Sequence, residues 1–423
     1  MLQIRKFDRR QMVQYGMGLA AMGGAAPGFL FRTAQAAQAK KDSDSILVVV
    51  QLSGGNDGLS TVIPFQDPAY HNARKATRLD PKDVLRLNDD VGLHPNLKDF
   101  KGFYDQGKLA VIQGVGYPNP NQSHFTSMDI WHSGEANTKE SPSPSATSGL
   151  EGWLGKYCDV AYPDKPDSTL AIAVGFNQTP RAIQSRRHGG LAVQGQGGFR
   201  LFGNTQDKAR VEAMERLSKE KNQPGNSSLD FITRTIVDAV EAGKKINTIS
   251  GNYRTPVVYP FNIPLAAALR TVASLIAGGA STRVYYVYQD GYDTHAGQKA
   301  RHDKLMADLN QAVGAFSKDM ERLEGGKKVL LMTMSEFGRR VEENGSQGTD
   351  HGTAAPMFLI GAGVKGGVSG KHPGLKKEDL YLGRDLQFHS DFRAVYATVL
   401  EKWLKTPSKQ ILGKQFPLLE CLG

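Results

Sequence analysis

The chain has 423 residues, 39% of them hydrophobic and 22% charged, with 47 glycines in no three-residue period, which excludes a disordered or collagen-like polymer. Its formal charge is +10, of which residues 1–39 carry +4 (Arg5, Lys6, Arg9, Arg10 and Arg32 against Asp8), so no nucleic-acid partner is called for by the remainder, which has no basic block. Mean hydropathy is −0.39 and the only cysteines are Cys158 and Cys421, excluding a polytopic membrane protein, a zinc ribbon and an iron–sulfur protein, and leaving one disulfide as an open option.

In chain order, Arg9-Arg10 comes first, followed by a moderately apolar, small-residue run from Tyr15 to Phe31 and two A-x-A sites, Ala34-Gln35-Ala36 and Ala37-Gln38-Ala39. A basic start, a short apolar middle and a small-residue cleavage site describe a secretory peptide. The paired arginines and weak hydrophobicity look like a twin-arginine signal. Residues 1–39 are therefore expected to be a leader read by the twin-arginine translocation machinery. The mature domain, residues 40–423, is expected in the periplasm or outside the cell, with no stable membrane span after cleavage.

Ile46–Leu52 is a continuous, largely β-branched run that ends in Gly54-Gly55-Asn56-Asp57-Gly58. Runs of this kind predict strands buried on both faces of a parallel sheet. They recur at 109–114, 170–174, 284–288, 329–333 and 357–360, with helical patterns at 265–277, 299–323 and 391–404. The alternation predicts a doubly wound α/β domain. Residues 117–148, too polar for a core, and 177–260, glycine-broken with charged helical patterns, are expected to be a site loop and a helical cap inserted into it.

In an open α/β sheet, ligands bind beyond the carboxyl ends of the strands. Asn56 and Asp57 follow the first strand. Asp290, Asp293 and His295 follow the 284–288 strand, Glu336 and Arg339 follow the 329–333 strand, and Asp350-His351 leads into the 357–360 strand. Carboxylate oxygens suit hard divalent cations, and imidazole suits zinc, iron or manganese. Asp57 in its glycine turn reads either as a helix cap or as a ligand. Ser123, in Gln122-Ser123-His124-Phe125, reads either as a helix N-cap or as a hydroxyl nucleophile. Arg187, in Arg186-Arg187-His188, is a candidate clamp for an anion. Gly361-Ala362-Gly363-Val364-Lys365-Gly366 fits a dinucleotide string, but the glycines and proline after it cannot open the helix whose N-terminus would hold the phosphate. No G-x-S-x-G elbow occurs, so a serine triad on an α/β-hydrolase is unsupported.

Taken in order, Gln51–Gly58, Ser123-His124-Phe125 with Asp129-Ile130-Trp131, Asp293-Thr294-His295, Ser335–Arg339, Asp350-His351-Gly352 and Asp391–Leu400 resemble the domain-of-unknown-function 1501 family over essentially the whole chain. That family in turn looks like the alkaline phosphatase and sulfatase superfamily. The resemblance implies a three-layer α/β sandwich around a mostly parallel sheet, with loop and cap insertions. It also implies a metal site of Asp57, Asp290, Asp293, His295, Glu336 and His351, with Ser123 as nucleophile and Asn56, His124, Arg187 and Arg339 around a small anionic or ester substrate. The cofactor implied is a divalent ion (Zn, Ca, Mn or Mg), one rather than two, because Phe337 stands where the superfamily has a second-site histidine. The function implied is an exported phosphate- or sulfate-ester hydrolase, and the alternative is a non-catalytic binding or envelope protein on the same scaffold.

Overall fold

The computed structural model describes residues 44–136, 151–164, 166–194, 216, 243 and 246–423. The expected leader 1–39, the second part of the 117–148 loop and most of the 177–260 cap lie outside the described residues.

The strands and helices of Asp44–Gly423 alternate much as the apolar runs predict. Strand β1 (Ile46–Ser53) is followed by the short helices α1 (Gly58–Thr61) and α2 (Pro68–Ala73), with β2 (Val62–Ile63) between them. β3 (Leu85–Arg86), β4 (Gly92–Leu93), α3 (Lys98–Asp105), β5 (Leu109–Gly116), α4 (His124–Ser133) and α5 (Trp153–Ala161) come next. After β6 (Ala171–Val174) and β7 (Leu191–Val193), helix α6 (Pro264–Ala277) leads to β8 (Val284–Asp290), and α7 (Gln298–Arg322) leads to β9 (Val329–Met334). β10 (Ala355–Gly361), β11 (Gly367–Ser369), β12 (Ser390–Asp391) and α8 (Phe392–Thr398) complete the frame.

Strands β2, β4 and β3 make a small antiparallel sheet, and the other nine form the main one, ordered β11-β5-β10-β9-β1-β8-β6-β7 with β12 beside β5. β10 pairs antiparallel with both its neighbours, whereas the remaining pairs in this sheet are parallel. β1 lies between β8 and β9 and is buried on both faces. Val48, Val50 and Leu52 pack with α3, α6 and α7, whereas Leu47 and Val49 pack with α4, α5 and α8. Two faces of alternate side chains, each under its own helices, make a three-layer sandwich. Fully burying one such side chain contributes about 1.5–3 kcal/mol, so the central strand alone is a large share of the domain's stability.

Several sequence expectations change in detail. The 117–148 segment is not wholly outside the core, because α4 lies in it and buries Ile130 and Trp131 against the sheet. The helix is weakly amphipathic, burying Ser127, His132 and Ser133 along with Ile130 and Trp131, so its polar positions do not mark it as exposed. The glycine string at 361–366 opens no helix and runs instead into β11. Cys158 and Cys421 are both buried and free. Among the described residues, no helix is long and apolar enough to cross a membrane.

Candidate metal centre

Because β1, β5, β8 and β9 run the same way, the segments leaving them emerge along one edge. The antiparallel β10 is entered from that same edge. Glycines let these segments pack directly on one another. Gly54 has φ +115°, and a Cβ there would stand 2.4 Å from the Asp293 backbone nitrogen; Gly55 has φ +82°, and its Cβ would meet the Phe337 ring at 2.5 Å. With no side chain in the way, the Gly54 amide donates to Glu336 Oε1 at 2.7 Å and the Asn56 amide to Ser335 Oγ at 2.9 Å.

Three histidines and one carboxylate meet there. His351 Nε2 lies 3.2 Å from Asp293 Oδ1, His295 Nε2 3.1 Å from the same oxygen, and the two Nε2 atoms 3.0 Å from each other. His124 Nε2 is 3.6 Å from Asp293 Oδ2. One ligand atom each from His124, Asp293 and His351 fall within 4.8 Å of one another. Each ring is also held from behind by an oxygen acceptor: His124 Nδ1 is 3.0 Å from Glu336 Oε1, His295 Nδ1 3.1 Å from Asp350 Oδ1, and His351 Nδ1 2.8 Å from the Gln122 carbonyl. An acceptor at Nδ1 takes the ring proton of the neutral form, so Nε2 faces Asp293 as a lone pair for a metal ion or, in the protonated ring, as a donor to the carboxylate. One donor atom each from His124, Asp293 and His351 thus faces a common point, a set that could hold a metal ion.

The spacing suits one. Donors bound at about 2.0–2.1 Å in tetrahedral geometry stand about 3.3 Å apart, close to the 3.0–3.6 Å of the four nearest pairs; the three donors of His124, Asp293 and His351 lie within 4.8 Å of one another. The electrostatics agree. Burial works against the charge of Asp293, but the Arg339 hydrogen bond and charge, with His351 and His295, hold its carboxyl at about 2. The hydrogen bond to Glu336 raises the pKa of His124, whereas burial lowers that of His351. Asp350 is held below the usual carboxylate range, first by Asn344.

The remaining expected site residues are placed otherwise. Glu336 is buried, and through His124 it orients a donor, its other partners being the Gly54 amide and Ser335. His124, expected beside the substrate, faces the donor cluster. Asp57, expected as a ligand, is a fully buried helix cap. Its oxygens accept from Leu59 N (3.2 Å), Ser60 Oγ (2.8 Å), Arg74 Nη1 (2.6 Å) and Nη2 (3.1 Å), and from Gln298 Nε2, which uses up its lone pairs. Burial alone would raise its carboxyl pKa, but the Arg74 charge outweighs that and holds it well below the usual range. Asp290 is exposed at the end of β8, where it accepts from the Gly291 amide at 2.8 Å. Asn56 is buried and accepts from Thr61 Oγ1 at 2.9 Å.

Arg339, expected to hold substrate, is fully buried. It donates to the carbonyls of Gly54, Gly55, Tyr292 and Thr349 and, at 2.6 Å, to Asp293. It thus pins three strand-end loops to one another and serves Asp293 from behind. Arg187 donates to the Pro163 carbonyl, and its amide donates to Asp159, so it fastens the end of α5. Ser123 caps α4 by position, with an exposed hydroxyl that makes no capping hydrogen bond. Both its chain neighbours, Gln122 and His124, bond within the cluster. Phe337 is buried with its ring centre 5.0 Å from His124 and 4.7 Å from His351, which gives that side of the cluster an apolar wall.

Fold and site together define a three-layer α/β protein whose mostly parallel sheet carries a histidine–carboxylate centre, fit to hold a metal ion, beyond its strand ends. The family model described as "Protein of unknown function (DUF1501)" matches residues 44–414, and the chain belongs to that family. No curated protein matches it. Among solved structures, it is similar to the alkaline phosphatase of the Antarctic bacterium TAB5 (11% identity, 76% of this chain and 93% of that one, TM-score 0.34). It is also similar to a protein in the alkaline phosphatase superfamily from Vibrio parahaemolyticus (9%, 88% and 69%, 0.37) and to the PsFucS1 sulfatase from Pseudoalteromonas sp. (11%, 81% and 69%, 0.35).

Proposed function

We propose that this protein is an exported hydrolase of phosphate or sulfate esters that depends on a divalent metal ion, reaching the periplasm or beyond by the twin-arginine route. The observation that carries this reading is the convergence of three Nε2 atoms on the Asp293 carboxylate, each ring held from behind by an oxygen. His124, His295, His351 and Asp293 would hold the ion, and a set this rich in imidazole favours zinc or a neighbouring transition metal over calcium or magnesium. When bound, the cation would draw charge from the ester oxygens and stabilise the negative charge that builds up during transfer.

The chain's own groups supply the rest. Ser123 offers an exposed hydroxyl at the start of α4, where backbone amides of the first turn face an incoming anion. Glu336 keeps His124 oriented, and Arg339 keeps Asp293 ionised. The Phe337 wall offers no donor, which favours one ion over two. The decisive experiment is elemental analysis of the purified protein, with turnover of aryl phosphate and aryl sulfate by the parent, Ser123→Ala and His351→Ala. Bound metal and turnover lost in both variants are expected. A parent with neither metal nor turnover overturns the reading.

A second reading, a non-catalytic binding protein, is favoured by Arg339, because its guanidinium is committed to backbone carbonyls rather than presented to a substrate. Retention of an anionic ligand without turnover, unchanged by Ser123→Ala, would single it out.

A further inference from the structure

At the other end of β9 and β10, away from the metal centre, α3 and α7 leave a cavity of about 300 Å³. Seven residues separate Val329, on its wall, from Glu336, so at ~3.3 Å per strand residue the two regions stand roughly 20 Å apart. Phe103, Phe316, Met320, Val329, Leu331 and Ile360 form its apolar walls, each at most 7% exposed. Protein interiors rarely keep voids larger than a water molecule, and atoms lining an empty space lose their dispersion contacts. An open-mouthed space with apolar walls of this extent is a receptor for apolar matter, and at ~30 Å³ per water-sized group it admits about ten of them.

The mouth sets the charge of the occupant. Lys108, Lys327 and Glu321 stand there. Lys108 Nζ is 2.8 Å from Glu321 Oε1, so these two neutralise each other, and Lys327, which is exposed, makes no ion pair among the described residues. An apolar chamber with a single uncompensated ammonium at its opening is complementary to an amphipathic anion and repels an amphipathic cation.

We propose that this cavity binds a small amphipathic carboxylate, with an apolar body of about ten heavy atoms inside and its head group on Lys327. The site is independent of the metal centre and does not rest on the hydrolase reading.

Titration calorimetry of the full chain with decanoate, and with decyltrimethylammonium as the cationic counterpart, tests it. Saturable one-to-one binding of decanoate is expected, with little or none for the cation. Ser317 lines the cavity from the half-exposed side of α7, so Ser317→Trp, which would place an indole in the space, is expected to abolish binding. Lys327→Glu, at an exposed position where folding is not at stake, should weaken it about fivefold or more. Equal binding of both amphiphiles, parental affinity in Ser317→Trp, parental affinity in Lys327→Glu, or no saturable binding of decanoate would each overturn the proposal.

Discussion

Replacing Asp57 by Asn separates a structural carboxylate from a catalytic one. Asp57 and Arg74 are each 0% exposed at the side chain and 2.6 Å apart. The substitution leaves the Arg74 guanidinium buried opposite a neutral amide, and breaking a buried pair on one side costs about 3–5 kcal/mol. Unfolding entropy is about 2.1 cal/mol/K per residue, so the Asp44–Gly423 unit unfolds with about 0.8 kcal/mol/K, and Tm should fall by about 4–6 °C. Scanning calorimetry reads the shift and elemental analysis reads the metal, which is expected to stay at the parental level. The pH dependence has a definite sign. A carboxyl whose folded pKa is depressed contributes its stability above its unfolded value near 4 and loses it as the pH falls toward the folded value. The gap between parent and variant should therefore be full at neutral pH and close on acidification below about 4. A variant that loses its metal yet melts with the parent would refute this account and return Asp57 to the ligand set.

Other outcomes follow from the same geometry. Glu336→Gln removes the carboxylate behind His124 and should weaken metal affinity about 10–100-fold while the fold persists, read by competition with a chromogenic chelator. Ligand histidines must be neutral, so metal affinity should fall as the pH drops through the raised pKa of His124, by about tenfold per pH unit for each proton taken up, read by the same competition across pH. Gly54→Ala forces a Cβ onto the Asp293 backbone at φ +115°. It should lower stability by about 1–3 kcal/mol in denaturant titration and reduce metal uptake, because Asp293 has to move.

The strands were legible because both-face burial leaves unbroken apolar runs, and the helices at 264–277 and 298–322 were found within a residue or so from their periodicity. The edge on which the chemistry collects was legible too, since it follows from strand direction alone. Individual roles were not. The sequence shows Asp57 behind a glycine pair, but not that Arg74, 17 residues on, and Gln298, 241 residues on, turn their donors onto it. In the sequence His124 is a substrate contact by resemblance, and only the structure shows Glu336, 212 residues away, beside its ring. The resemblance puts Arg339 beside the substrate, because nothing in a string reveals that four carbonyls have already claimed its nitrogens. For Phe337 the string alone suffices, since an aromatic hydrocarbon lacks a donor in any setting.

The reversed direction of β10 has a temporal consequence. His351 reaches the shared edge before its strand is laid down, and it settles only when β10 closes between β5 and β9. Nascent chains released short of Gly361 therefore possess His124, Asp293 and His295 but no way to seat them against His351. The cluster thus needs the chain through Gly361 in place, and on the reading proposed above an ion would bind only once β10 has closed.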